Sequence, residues 1–122
     1  MRPPEARILH IDDSVVARHS VAESATEIGA IVVVSAATFD EARAALSQIK
    51  ELGVNIILTD DNLSEKKPLE GRYVYDIAHL EHPDVHILSV SGSVGMSQDL
   101  GIPHVADKGT DSAILRAAIE AL

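Results

Sequence analysis

A small set of polar residues closes the apolar runs of this chain, and the chemistry available to it rests on them. Asp12 and Asp13 end the run in ILHIDDS, Asp60 and Asp61 end that in NIILTDDNLS, Ser91 ends that in ILSVSG, and Lys108 follows VAD. Brought together, Asp12, Asp13 and Asp60 repel one another. Two such charges about 5 Å apart, at an effective dielectric near 20, cost roughly 3 kcal/mol. A cation must offset that cost. Hard oxygen donors with no histidine or cysteine among them point to Mg²⁺, which binds one or two carboxylates together with phosphate oxygens. Lys108 adds a second positive charge able to meet a phosphoryl group. A carboxylate beside Mg²⁺, a hydroxyl and a lysine is equipment for phosphoryl transfer, where catalysis is mostly positioning and charge neutralisation. Asp60 would attack in line to give an aspartyl phosphate, with the metal and Lys108 on its equatorial oxygens and Ser91 hydrogen-bonded to another.

Taken singly, each residue has an ordinary role. Asp12, Asp13 and Ser14 can cap a helix, Asp60 and Asp61 can be turn residues, Ser91 before Gly92 is common loop chemistry, and a lone lysine is usually on the surface. The case for a shared site is that Asp12, Asp13, Asp60, Ser91 and Lys108 all fall at one edge of the sheet described next.

The positioning elements are legible as alternating strands and helices. ARILHI (6–11) is a first strand. DDS then signals a helix start, and a helix from about Ser14 to Ile28 places Val21, Ala25 and Ile28 on one face with Gly29 at its end. AIVVVSAA (30–37) is a second strand. A helical stretch follows, with Ala42, Ala45, Leu46 and Ile49 at the same period, ending at Gly53. VNIILTD is a third strand, dense enough in apolar residues to be buried on both faces. A long polar loop, DNLSEKKPLEG, leads to a helix over 72–80, stopped by Pro83. DVHILSVS (84–91) is a fourth strand, GSVGMSQDL has room for only a short helix, IPHVAD (102–107) is a fifth strand, and Thr110 caps a last helix to Leu122.

This (βα)₅ pattern implies parallel pairing with right-handed crossovers and helices on both faces. The expected fold is a doubly wound, flavodoxin-like α/β three-layer sandwich over residues 1–122, with strand order 2-1-3-4-5. In that order the ends carrying Asp12 and Asp13, Asp60, Ser91 and Lys108 belong to consecutive neighbours. At a strand spacing of about 4.8 Å, Lys108 starts about 10 Å from Asp60 and must reach back along its stem.

Composition narrows the function classes. The 122 residues suit one domain, and 46% apolar residues can fill its core. A net charge of −9 repels phosphate backbones and acidic membrane surfaces, so direct nucleic-acid binding is not expected, and the apolar stretches fall far below the roughly 18 to 20 residues a membrane span needs, so membrane insertion is not expected. Phe39, Tyr73 and Tyr75 are too few for a base-stacking platform. Absence of cysteine excludes disulfides and thiol chemistry and suits a reducing compartment, so the cytoplasm is the expected location. His79, His82 and His86 straddle Pro83 and are expected to be structural rather than a metal site.

The acidic pair in ILHIDDS, the aspartate in IILTDDNL, the hydroxyl in SVSG and the lysine in VADK stand in the order of a known family. Over essentially its whole length the chain resembles a bacterial two-component response-regulator receiver domain. That resemblance implies that Asp60 accepts a phosphoryl group from a sensor histidine kinase or phosphotransfer protein. It also implies that Asp13, Asp60 and the backbone carbonyl of Asn62 bind Mg²⁺, with Asp12 acting through water, and that Ser91 and Lys108 read the phosphoryl group. Such a domain promotes its own phosphoryl transfer and dephosphorylation without being a turnover enzyme. Because the chain ends with the last helix, the output is expected to pass through a separate protein target or through oligomerisation.

Three features depart from the family pattern. Gly109 stands where a proline usually follows the lysine. The switch position on the fifth strand, usually aromatic, is Val105, or His104 if the register slips by one. The loop after Asp60 is expanded by SEKKPLEG while the segment between Ser91 and Lys108 is shortened, which alters the face that usually contacts targets. The long loop is expected to help select the kinase or cover the site. Two other function classes compete: a receiver-like interaction module that is not phosphorylated in the cell, and a phosphohydrolase of the haloacid-dehalogenase type. The latter expects an acid two residues after its nucleophile, where this chain has Asn62.

Overall fold

The apolar runs become the strands of a parallel sheet, and the amphipathic stretches between them become its covering helices. The computed structural model describes residues 1–59, 70–91, 104–106 and 112–122, with backbone alone at 70–72, 90, 91 and 104–106. A single 3₁₀ turn (Pro3–Glu5) precedes β1 (Arg7–Ile11), α1 (Val15–Ile28), β2 (Ile31–Ala36), α2 (Phe39–Leu46), α3 (Ile49–Leu52) and β3 (Ile56–Thr59). Then come α4 (Glu70–Glu81), β4 (His86–Ser91), β5 (His104–Ala106) and α5 (Ser112–Glu120). The sheet order is β2-β1-β3-β4-β5, every pair parallel. This is the doubly wound order that the strand and helix alternation implies.

Alternation along the central strands sends side chains to two separate cores. Ile8, Ile56, Leu58 and Leu88 pack with Val21, Ala25 and Ile28 of α1 and with Leu115 and Ile119 of α5. Leu9, Ile11 and Ile57 pack on the other face with Ala42, Ala45, Leu46, Ile49, Val74 and Ala78 of α2, α3 and α4. All four residues of β3 are buried, which explains why its sequence is apolar without alternation. Each large aliphatic buried this way contributes about 1.5–3 kcal/mol. Between β1 and β2 the register slips, Ile8 pairing with Val32 and Leu9 with Val34, so that Val33 forms a bulge.

Helix boundaries follow local chemistry. Ser14 caps α1 by accepting the Ala17 N–H at 3.2 Å, and Gly29, at φ 84°, ends it in the left-handed conformation. The single helix expected from Ala42 to Gly53 is instead two, α2 and α3. Ser47 Oγ donates to the Ala44 carbonyl at 2.6 Å, and Gln48, at φ −114° and ψ 11°, leaves the helical conformation before α3 begins. His82 Nε2, at the far end of α4, donates to the Leu46 carbonyl at 3.0 Å and satisfies a group at the break. The apolar face runs through unbroken, since Ala42, Ala45, Leu46 and Ile49 are all buried.

Other boundaries move by one or two residues. Helix α4 starts at Glu70 rather than at 72, and β4 starts at His86 because Asp84 belongs to a turn. Helix α5 starts at Ser112; the expected cap at Thr110, the expected short helix after Ser91 and the loop of 64–69 lie outside the described residues.

Candidate functional site

All five strands are parallel, so their C-terminal ends leave the sheet at one edge, and it is here that the polar groups of the core collect. Among the described residues the buried polar side chains are His10, Asp12, Ser24, Thr59 and Ser89. Four of these five stand at or just inside that edge. Thr59 ends β3 and is register partner to both Ile11 of β1 and Ser89 of β4. Beyond Ser89, β4 runs two residues further to Ser91, which pairs with Ala106 of β5.

The end of β1 is held from three directions. The Asp12 N–H donates to the Ala36 carbonyl at 3.0 Å, continuing the β1–β2 ladder one residue past the strand. The Asp12 carboxylate, fully buried, accepts the Ser14 N–H through Oδ1 at 2.9 Å, a local turn that leads into the cap of α1. Arg18, one turn into α1, donates from Nη1 to the Asp12 carbonyl at 2.7 Å. Asp13, the next residue, is exposed. The adjacent acids therefore differ: one carboxylate is fixed inside the protein and the other faces water. Both precede the N-terminus of a 14-residue helix, whose unpaired N–H groups and macrodipole favour negative charge there.

Beneath them, one residue before the end of β1, the His10 imidazole is fully buried with Nε2 3.9 Å from Asp12 Oδ2. His10 and Arg18 were not marked by the sequence pattern. A single histidine inside an apolar strand carries no spacing signal, and Arg18 is one charge among several on an amphipathic helix.

Of the residues expected to form the site, the structure places Asp12 and Asp13 together at the end of β1 and Ser91 at the end of β4, two strands away. Asp60 directly follows Thr59 in the chain, and Lys108 lies two residues after Ala106. Asp60, Asn62, Lys108 and Gly109, the side chains of Ser91, His104 and Val105, and residues 64–69 of the expected loop lie outside the described residues, while Glu70 and Gly71 already belong to α4. Two carboxylates with hard oxygen donors, one of them open to solvent, suit a hydrated divalent cation. Among the described residues no group of three metal-binding side chains occurs. The histidines near Pro83 have separate places: His79 stacks on Tyr75 with ring centroids 5.5 Å apart, His82 reaches Leu46, and His86 is exposed.

No protein-family model and no curated protein matches this sequence. Solved structures do match in fold. The RcsB response regulator of Salmonella typhimurium aligns at 17% identity and TM-score 0.75, over 95% of this chain and 60% of that one. A response-regulator receiver domain protein (CheY-like) from Methanospirillum hungatei aligns at 24% identity and TM-score 0.73, over 95% and 91%. The chemotaxis protein CheY4 of Vibrio cholerae aligns at 19% identity and TM-score 0.69, over 95% and 97%. The chain thus spans about three-fifths of RcsB and nearly all of the two smaller proteins. It has the fold of response-regulator receiver domains.

Proposed function

We propose that the chain is a phospho-accepting signalling switch of a two-component phosphorelay. In this reading Asp60 attacks the phosphorus of a phosphohistidine on a sensor kinase or phosphotransfer protein. A P–O bond forms to the carboxylate as the P–N bond breaks, and the released imidazole takes up a proton. Asp13, Asp60 and the carbonyl of Asn62 would hold Mg²⁺, with Asp12 acting through water, and the ion would supply the charge that neutralises the phosphoryl group. Ser91 and Lys108 engage the phosphoryl oxygens. The domain promotes this transfer and the later hydrolysis of the aspartyl phosphate to inorganic phosphate and free Asp60, but does not turn over a separate substrate.

The observation that carries the reading is the acidic end of β1, one carboxylate buried and one exposed, on the receiver-fold sheet edge to which β3, β4 and β5 also point. Phosphorylation shifts a two-state equilibrium and with it the affinity for a separate partner protein. Among the described residues no helix is long and apolar enough to cross a membrane. A cytoplasmic location goes with a kinase partner of this kind.

Incubation with acetyl phosphate and Mg²⁺, followed by intact mass spectrometry, tests the proposal. One phosphoryl adduct is expected on the wild type, with none on Asp60→Asn and none when Mg²⁺ is chelated. An adduct that survives Asp60→Asn removes Asp60 from the role. No adduct on the wild type leaves an interaction module of receiver fold.

A further inference from the structure

We infer that His10 is a positioning residue for the acidic edge: its buried imidazole orients the Asp12 carboxylate from beneath and so sets the affinity of the site for a divalent cation. The inference rests on the reading of Asp12 and Asp13 as part of a cation site.

A fully buried histidine near the end of β1 is costly. Its neighbours along the strand, Ile8, Leu9 and Ile11, are fully buried and apolar, and its own side chain has no exposed surface. Removing a polar ring from water is unfavourable unless polar contacts replace what water gave. The strand alternation that sends Ile8 toward α1 sends His10 and Asp12 to the same side, and His10 Nε2 lies 3.9 Å from Asp12 Oδ2. That separation is beyond a direct hydrogen bond, which ends near about 3.2 Å. It is also too short for an intervening water, whose two legs of about 2.8 Å span more than 4 Å at a tetrahedral angle. The two groups meet as a close electrostatic contact inside the protein rather than as a hydrogen bond.

The two carboxylate oxygens meet these groups from different sides. Oδ1 is fixed by the Ser14 N–H, while Oδ2 faces the ring nitrogen. With the proton on Nε2, the N–H dipole attracts Oδ2 across that distance and biases the plane of the carboxylate. Arg18, holding the Asp12 carbonyl, fixes the backbone but not that plane. Partners of this outer-shell kind orient the groups that face a metal, and their loss typically weakens metal binding about 10–100-fold.

The test compares wild type, His10→Leu and His10→Gln by calorimetric titration with Mg²⁺ and by acetyl phosphate phosphorylation across Mg²⁺ concentrations. In His10→Leu the Mg²⁺ dissociation constant is expected to rise on the order of 10–100-fold. The Mg²⁺ concentration for half-maximal rate should rise with it, while the rate at saturating Mg²⁺ falls far less. His10→Gln places an amide N–H near the same point and should lie closer to wild type than to His10→Leu. Nitrogen NMR of the wild-type imidazole, assigned by its loss in His10→Gln, should show the ring signals moving on Mg²⁺ saturation. That measurement holds even if His10→Leu does not fold, as judged by circular dichroism.

Unchanged Mg²⁺ affinity in a folded His10→Leu, equal weakening in both variants, or imidazole signals that ignore Mg²⁺ would each overturn the inference while leaving the proposed function intact. A wild type that binds no Mg²⁺ overturns both.

Discussion

At the scale of single residues, the end of β1 shows how one short motif serves two purposes. In ILHIDDS, Ser14 caps α1 through its hydroxyl while its own N–H fixes the buried Asp12. Removing the hydroxyl breaks only the first of these. Ser14→Ala should cost about 1 kcal/mol and Ser14→Asn almost nothing, because asparagine caps as well as serine. Urea denaturation checks both, and equal losses would mean that the cap contributes little. The acids and the cap were legible in the sequence because carboxylates and hydroxyls at the junction of an apolar run and a helical period have few other uses. His10 and Arg18 were not legible, since their meaning depends on which atoms the fold brings near Asp12.

At the scale of elements, the apolar periods identified every strand and most helices, because burial on one or two faces leaves a pattern that survives in the chain. The division between α2 and α3 left no such trace. The period through Ala42, Ala45, Leu46 and Ile49 continues across it, and the break is set by the Ser47 hydroxyl and by His82, which is 36 positions from its acceptor. Gly53 then ends α3 at φ 68°, with an added Cβ 3.1 Å from Arg7 Nε. The left-handed backbone costs a residue with a Cβ roughly 1–2 kcal/mol. Gly53→Ala should therefore lower stability by about 1 kcal/mol after the gain from a less flexible unfolded chain is counted. Gly53→Asn should lose less, since asparagine tolerates this region. Thermal unfolding of the pair measures the difference, and a Gly53→Ala protein as stable as wild type would contradict it.

At the scale of the molecule, the sheet order follows from general rules for alternating strands and helices, which is why it could be read before any coordinates. Strands distant in the sequence end at one edge because parallel pairing with right-handed crossovers allows little else. The proposed function makes this edge one site: β1 acids, the residue after β3, the end of β4 and the residues after β5 should respond as a unit to a phosphoryl group. Beryllofluoride with Mg²⁺, a phosphoryl mimic, added to the ¹⁵N-labelled protein measures this directly. The amide signals of 12–14, 59–62, 89–91 and 106–109 should move together, with saturation at one beryllofluoride per chain and no movement in Asp60→Asn. Shifts confined to one strand end, shifts at the opposite edge of the sheet, or an unchanged spectrum would contradict the claim that these segments form one phosphoryl-binding site.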